Sequence, residues 1–164
     1  MNMQITKRGE AFSLVKEPLK VGNQAVDFEL KDLKDKVFHL SQLLDKPLII
    51  SVVPDINTSV CSIQTRKFNE MMAKFEEANF VTISNNTREQ QKSWCAAEGL
   101  DLVMLHDPEN TFGQAYGVLI PELNVYARSV FVINSDGKII YEEIVPEMTQ
   151  EPNYQNAIDA IVNR

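Results

Sequence analysis

Pro47-Leu-Ile-Ile-Ser-Val-Val53 is an almost unbroken aliphatic run rich in β-branched residues. A strand this apolar has no face to offer to water, and it belongs in the middle of a sheet covered on both sides by helices. The residues beyond it agree with that placement. From Ser59 to Glu77, Val60, Ile63, Phe68, Met71, Met72 and Phe75 recur at spacings near three and four, leaving Arg66, Lys67, Glu70 and Lys74 for an outer face. Asn79-Phe-Val-Thr-Ile-Ser84 reads as the next strand, so the segment is a βαβ unit, whose crossover is right-handed.

The flanking segments extend the pattern. Met3 to Val15 breaks at Gly9-Glu10 between two short mixed runs, as an N-terminal β-hairpin does. Val26-Asp-Phe-Glu-Leu30 and Val37-Phe-His-Leu40 alternate like half-buried strands. Thr87-Arg-Glu-Gln90 has the form of a capping box and opens a helix running to about Glu98, stopped by Gly99. Leu102 to Leu105 is a short strand, and Asn110 to Tyr116 a short helix ended by Gly117. Ser129 to Ile133 and Lys138 to Ile144 flank the turn Asn-Ser-Asp-Gly137. Pro152 stands where a first helical residue would, ahead of a terminal helix carrying Ala157, Ile158 and Ile161. That order predicts an α/β fold, a central mixed β-sheet flanked by helices. With no linker or repeat, residues 1–164 read as a single domain.

Composition narrows the partners. Twenty-three acidic against 16 basic residues give a net charge of −7 with no basic cluster, which disfavours nucleic acid and anionic lipid. Met1-Asn-Met-Gln-Ile-Thr-Lys-Arg-Gly9 has no apolar core of a signal peptide, and no run approaches the roughly 20 apolar residues of a membrane span. The expectation is a cytoplasmic protein, where a pair of cysteines is chemistry or inert packing rather than a structural staple.

Cys61 falls in the first turn of the helix after the buried strand, where unpaired N–H groups and the positive end of the helix dipole favour an anion. The thiolate is the nucleophilic form. Position alone leaves an inert core thiol equally open, since Cys61 shares a helical face with Phe68 and Met72. Thr58 can be a plain N-cap, Pro54 can simply end the strand, and Arg128 at the head of an apolar strand can be a solvated edge charge. His39 and His106 show no spacing tied to Cys61, no residue cluster has metal-ligand spacing, and the glycines form no phosphate loop. No cofactor and no metal is expected.

The surrounding pattern decides between these readings. Pro54-Asp-Ile-Asn-Thr58-Ser-Val-Cys61 fits P-x-x-x-T-x-x-C, which resembles the active-site signature of the peroxiredoxins. Ser51-Val-Val-Pro54, Trp94-Cys-Ala-Ala-Glu-Gly99, Gln114-Ala-Tyr-Gly-Val118 and Ala127-Arg-Ser-Val130 are similar to the thiol peroxidase branch, the atypical 2-Cys members, in order and spacing from about Gly22 onward. Ser59 departs from the glycine or proline of many members, a change expected to be tolerated.

The resemblance implies a thioredoxin-like fold and a thiol peroxidase acting on hydrogen peroxide and, by preference, alkyl hydroperoxides. Cys61 would be the peroxidatic residue, Thr58 would place its hydroxyl against sulfur and peroxide, and Pro54 would shield the sulfur. Arg128 would hold the thiolate and the lengthening oxygen–oxygen bond. Cys95, 34 residues on, would resolve the sulfenic acid as a Cys61–Cys95 disulfide recycled by thioredoxin, in a homodimer. The first turn after Thr58 and the Cys95 region would then loosen on oxidation. Two other readings predict different things. A non-catalytic thioredoxin-fold module, a redox sensor or partner-binding domain, would have an unreactive or fully buried Cys61, and a cysteine hydrolase would pair a histidine with the sulfur; for Cys95 the other reading is a core residue beside Trp94 and Ala97.

Overall fold

A computed structural model describes residues 3–99 and 103–163. The N-terminal hairpin is formed by β1 (Gln4–Lys7) and β2 (Glu10–Ser13), paired antiparallel through Arg8 and Gly9 at φ 52° and 84°. Two successive left-handed residues match the twist of a hairpin, and glycine takes the second position at no steric cost. β3 (Glu29–Lys31) and β4 (Val37–His39) pair next. β3 starts later than the alternation from Val26 suggests. The Asp27 carboxylate accepts from the amides of Phe28 at 2.9 Å and Leu40 at 3.1 Å, and this local turn precedes the ladder.

β5 (Leu48–Val52) is buried at every position, as its composition requires. Then come α1 (Ser59–Met72), β6 (Asn79–Ser84), α2 (Arg88–Glu98), β7 (Met104–His106), α3 (Thr111–Tyr116), β8 (Leu119–Ile120), β9 (Val125–Tyr126), β10 (Ser129–Ile133), β11 (Ile139–Ile144) and α4 (Tyr154–Val162). The seven-stranded sheet runs β11-β10-β5-β6-β7-β3-β4, with β5, β6 and β7 parallel and the others antiparallel to their neighbours. It is the mixed sheet expected from the element order. One face packs Leu48, Ile50, Val52 and Phe131 against Phe112 and Tyr116 of α3, and the other packs Ile49, Val130 and Val132 against Phe68 of α1 and Ile158 and Ile161 of α4.

Several boundaries differ from the sequence pattern. α1 stops at Met72 rather than Glu77, because Lys74 and Phe75 donate to carbonyls three residues back and tighten the chain into a turn. The apolar spacing continues to Phe75 because it reports which side faces the core, not how the backbone is bonded. α4 is capped by Asn153, whose side chain accepts from the amide of Asn156 at 3.0 Å, so Pro152 lies outside the helix. Leu102 lies outside the described residues, and the short β8–β9 hairpin has no clear signal in the sequence. The capping box of α2 is as expected, with Gly99 left-handed at its end.

Candidate active site

β5 delivers the chain to Pro54, which is buried, and a tight loop then leads to Thr58 at the N-cap of α1. Cys61, the third residue of the helix, is fully buried. β10 runs antiparallel to β5 with Ser129 opposite Val52. That register sets Arg128, one residue earlier, beside the strand end from which the Cys61 loop departs.

Arg128 is 2% exposed, not the solvated edge charge that its position at a strand head would ordinarily imply. Its Nη1 donates to Cys61 Sγ at 3.3 Å and to Gln64 Oε1 at 2.9 Å. Nε and Nη2 both donate to the Met148 carbonyl, at 3.0 and 2.7 Å. The Asp55 amide adds a second donor to the sulfur at 3.5 Å. Among the described residues no carboxylate forms an ion pair with this guanidinium. A buried cation costs several kcal/mol unless its charge is matched, and here its contacts are two neutral oxygens and one sulfur.

The remaining expected members are placed less uniformly. Thr58 is exposed, and its hydroxyl donates to the Asp55 carbonyl at 2.8 Å rather than turning to the sulfur; it caps α1 by backbone position only. Cys95, partly buried on α2, packs against the small cluster of Val53, Ile56, Cys61, Trp94 and Met104. Both cysteines are thiols. His39 faces Glu29 at 3.9 Å and His106 Nδ1 bonds the Asn86 carbonyl at 2.7 Å, so neither ring serves Cys61.

The model of the AhpC/TSA family matches residues 21–142. The chain belongs to that family. The thiol peroxidases of Listeria innocua and Bacillus subtilis are each 45% identical over 161 residues, covering 96% of this chain and 96% and 95% of theirs. A peroxiredoxin-like protein from Aquifex aeolicus superposes with a TM-score of 0.91 at 31% identity, over 98% of this chain and 96% of its own. A thiol peroxidase from Chromobacterium violaceum, at 15% identity, shares the fold with a TM-score of 0.88 over 99% and 98%. The fold is thioredoxin-like, and the activity is that of a peroxiredoxin peroxidase.

Within this AhpC/TSA site, three contributors stand outside the motifs legible in the sequence. Gln64 is fully buried, and its Nε2 donates to Ser51 Oγ at 2.8 Å while its Oε1 receives Arg128. A polar residue one turn past Cys61 on the inward face of α1 was the available signal. Asn86 braces the loop before α1, with Oδ1 receiving the Ile56 amide at 2.9 Å and Nδ2 donating to Asp55 Oδ1 at 2.9 Å. Its Nδ2 also reaches Gln90 Oε1 of the α2 capping box at 3.0 Å, so the cap of α2 and the Cys61 loop share one side chain. Met148 contributes a backbone carbonyl, which leaves no mark in a sequence.

Proposed function

We propose that this peroxidase acts through Cys61 as nucleophile, Arg128 as electrostatic partner and Cys95 as resolving thiol. The observation that carries this reading is the Arg128 Nη1 contact with Cys61 Sγ at 3.3 Å inside a buried site. The anionic sulfur attacks the distal oxygen of a hydroperoxide. The oxygen–oxygen bond breaks, and the alkoxide leaves as an alcohol, or as water from hydrogen peroxide, after taking up one proton. Cys61 is left as a sulfenic acid. Electrostatic donors fixed where charge develops commonly contribute about 3–4 kcal/mol of barrier lowering each. Pro54 keeps bulk water from the sulfur, and Thr58 turns its hydroxyl from Asp55 toward the peroxide once substrate is bound.

The Cys95 thiol then attacks the sulfenic sulfur, releasing water and forming a Cys61–Cys95 disulfide. Disulfide geometry requires Cα atoms within about 7 Å, and Cys61 is fully enclosed in the reduced chain. The first turn of α1, whose N-cap Thr58 makes no side-chain bond to the helix, and the Cys95 end of α2 therefore open locally for this step. A thioredoxin-type dithiol returns two electrons. We read residues 1–164 as one domain of a cytoplasmic homodimer, with alkyl hydroperoxides and hydrogen peroxide as substrates. No helix among the described residues is long and apolar enough to cross a membrane.

The test is one equivalent of an organic hydroperoxide followed by mass spectrometry. The native chain is expected to lose two hydrogens and to yield a peptide pair joined through Cys61 and Cys95. Cys95→Ser is expected to gain one oxygen on Cys61, trappable by a dione, and to stall after that single event in a thioredoxin-coupled assay. Oxidation that leaves Cys61 a free thiol would refute the assignment.

A further inference from the structure

The aim of the Arg128 guanidinium depends on the Met148 carbonyl, which receives two of its nitrogens. That carbonyl is itself held from the opposite end of the chain. The Thr6 amide of β1 donates to the Pro146 carbonyl at 2.7 Å, and the Met148 amide donates to the Thr6 carbonyl at 2.8 Å, a short parallel bridge across Glu147. The Glu147 carboxylate locks the arrangement. Its Oε1 accepts from the Thr6 hydroxyl at 2.9 Å and the Gly9 amide at 3.0 Å, while Oε2 accepts from the Thr149 amide at 2.7 Å and hydroxyl at 2.6 Å.

We propose that Glu147 is a positioning residue for the peroxide reaction, latching the β1–β2 turn onto the loop that presents the Met148 carbonyl to Arg128. The proposal rests on the reading of Cys61 and Arg128 as the reacting pair. A guanidinium is planar and rigid, so fixing Nε and Nη2 on one oxygen fixes the direction of Nη1 toward the sulfur. A displacement of about 1 Å at a reacting group can cost up to about 10²-fold in rate. The hydrogen bonds from Thr149 and Gly9 also hold the Glu147 carboxyl well below the usual carboxylate range, which keeps the latch charged at any pH where a peroxidase works. This gives the N-terminal hairpin a function beyond covering the core.

A double-mutant cycle tests it, following Cys61 oxidation by stopped-flow fluorescence of Trp94, the single tryptophan, which packs in the Cys61 cluster. Glu147→Ala is expected to lower the second-order rate constant about tenfold in the native background and to change nothing in an Arg128→Met background, because contributions through one residue are not additive. Glu147→Gln, which keeps an acceptor for Thr6 and Gly9, is expected to recover to within about threefold. Thr6→Val, a milder variant that conserves shape, is expected to show the same background dependence with a smaller loss. Should Glu147→Ala stay within twofold while Arg128→Met is slow, the latch is wrong and the Cys61–Arg128 reading stands. Equal losses in both backgrounds mean general loosening and also overturn the latch. An Arg128→Met chain as fast as its parent overturns both.

Discussion

Arg128→Met is expected to slow the reaction of Cys61 with hydroperoxide by about 10²–10³-fold, the loss seen when one fixed electrostatic donor is removed from a dry site. Methionine fills much of the same volume but carries neither charge nor donors. The buried sulfur then keeps the weaker Asp55 amide contact, at 3.5 Å. Stability will also change. The Met148 carbonyl and Gln64 Oε1 each lose a partner, at about 1–3 kcal/mol per orphaned group, while removal of a buried cation works in the opposite direction. Thermal unfolding therefore has to accompany the kinetics, and rates are compared well below the midpoint. Arg128→Lys should restore only part of the loss, because an ammonium cannot grip the Met148 carbonyl and reach the sulfur in one fixed geometry. Cys61→Ser sets the floor with no oxidation at all. A folded Arg128→Met chain that oxidises within twofold of the native one removes the guanidinium from the mechanism.

How much of this site is legible in the sequence depends on where the information sits. The burial of β5 is written in its own composition, and the α2 cap in Thr87 and Gln90, because both are local devices whose residues lie close together in the chain. Arg128 is legible only through its family pattern. Taken alone it stands at the head of a strand, and what buries it is the pairing of β10 with β5, two strands far apart in the chain. Gln64 is visible in principle as a polar residue on a helix face that otherwise carries core residues. The Met148 carbonyl is not visible at all, since a backbone acceptor has no residue type. Thr58 marks the reverse case. Its side chain suits both a cap and a substrate contact, and in the reduced chain it makes neither contact, bonding Asp55 instead.

The largest expected loss of stability lies away from the sulfur, at Asp107, which is 1% exposed. Its Oδ1 accepts from the Thr111 amide at 3.1 Å, and its Oδ2 from the amides of Phe112 at 3.0 Å and Gly113 at 3.3 Å and from the Tyr126 hydroxyl. Asn110 occupies the N-cap position of α3 but makes no side-chain cap bond, so Asp107 does the capping from outside the helix. Asp107→Ala orphans three amides, while the Tyr126 hydroxyl keeps Asn110 Oδ1 at 3.0 Å, and the change is expected to cost about 3 kcal/mol or more in denaturant unfolding at neutral pH. For a chain of this size that lowers the melting midpoint by roughly 6–12 °C. Burial, the largest influence, pushes the Asp107 carboxyl above the usual range even against those hydrogen bonds. The native state thus holds this proton more tightly than the unfolded chain does. Its contribution to stability falls as pH rises from the ordinary aspartate range, about 3.9, through the raised value. The stability gap between the native chain and Asp107→Asn should therefore narrow over that interval, and a gap that widens would contradict the sign. Since Phe112 stacks on Tyr116 within α3 and Tyr116 meets Phe131 of β10 edge to face, these variants loosen the support beneath the strand that begins after Arg128 without touching its hydrogen bonds. Their peroxide rate constants well below the midpoint should stay within about twofold of native, which separates holding the scaffold together from aiming the guanidinium.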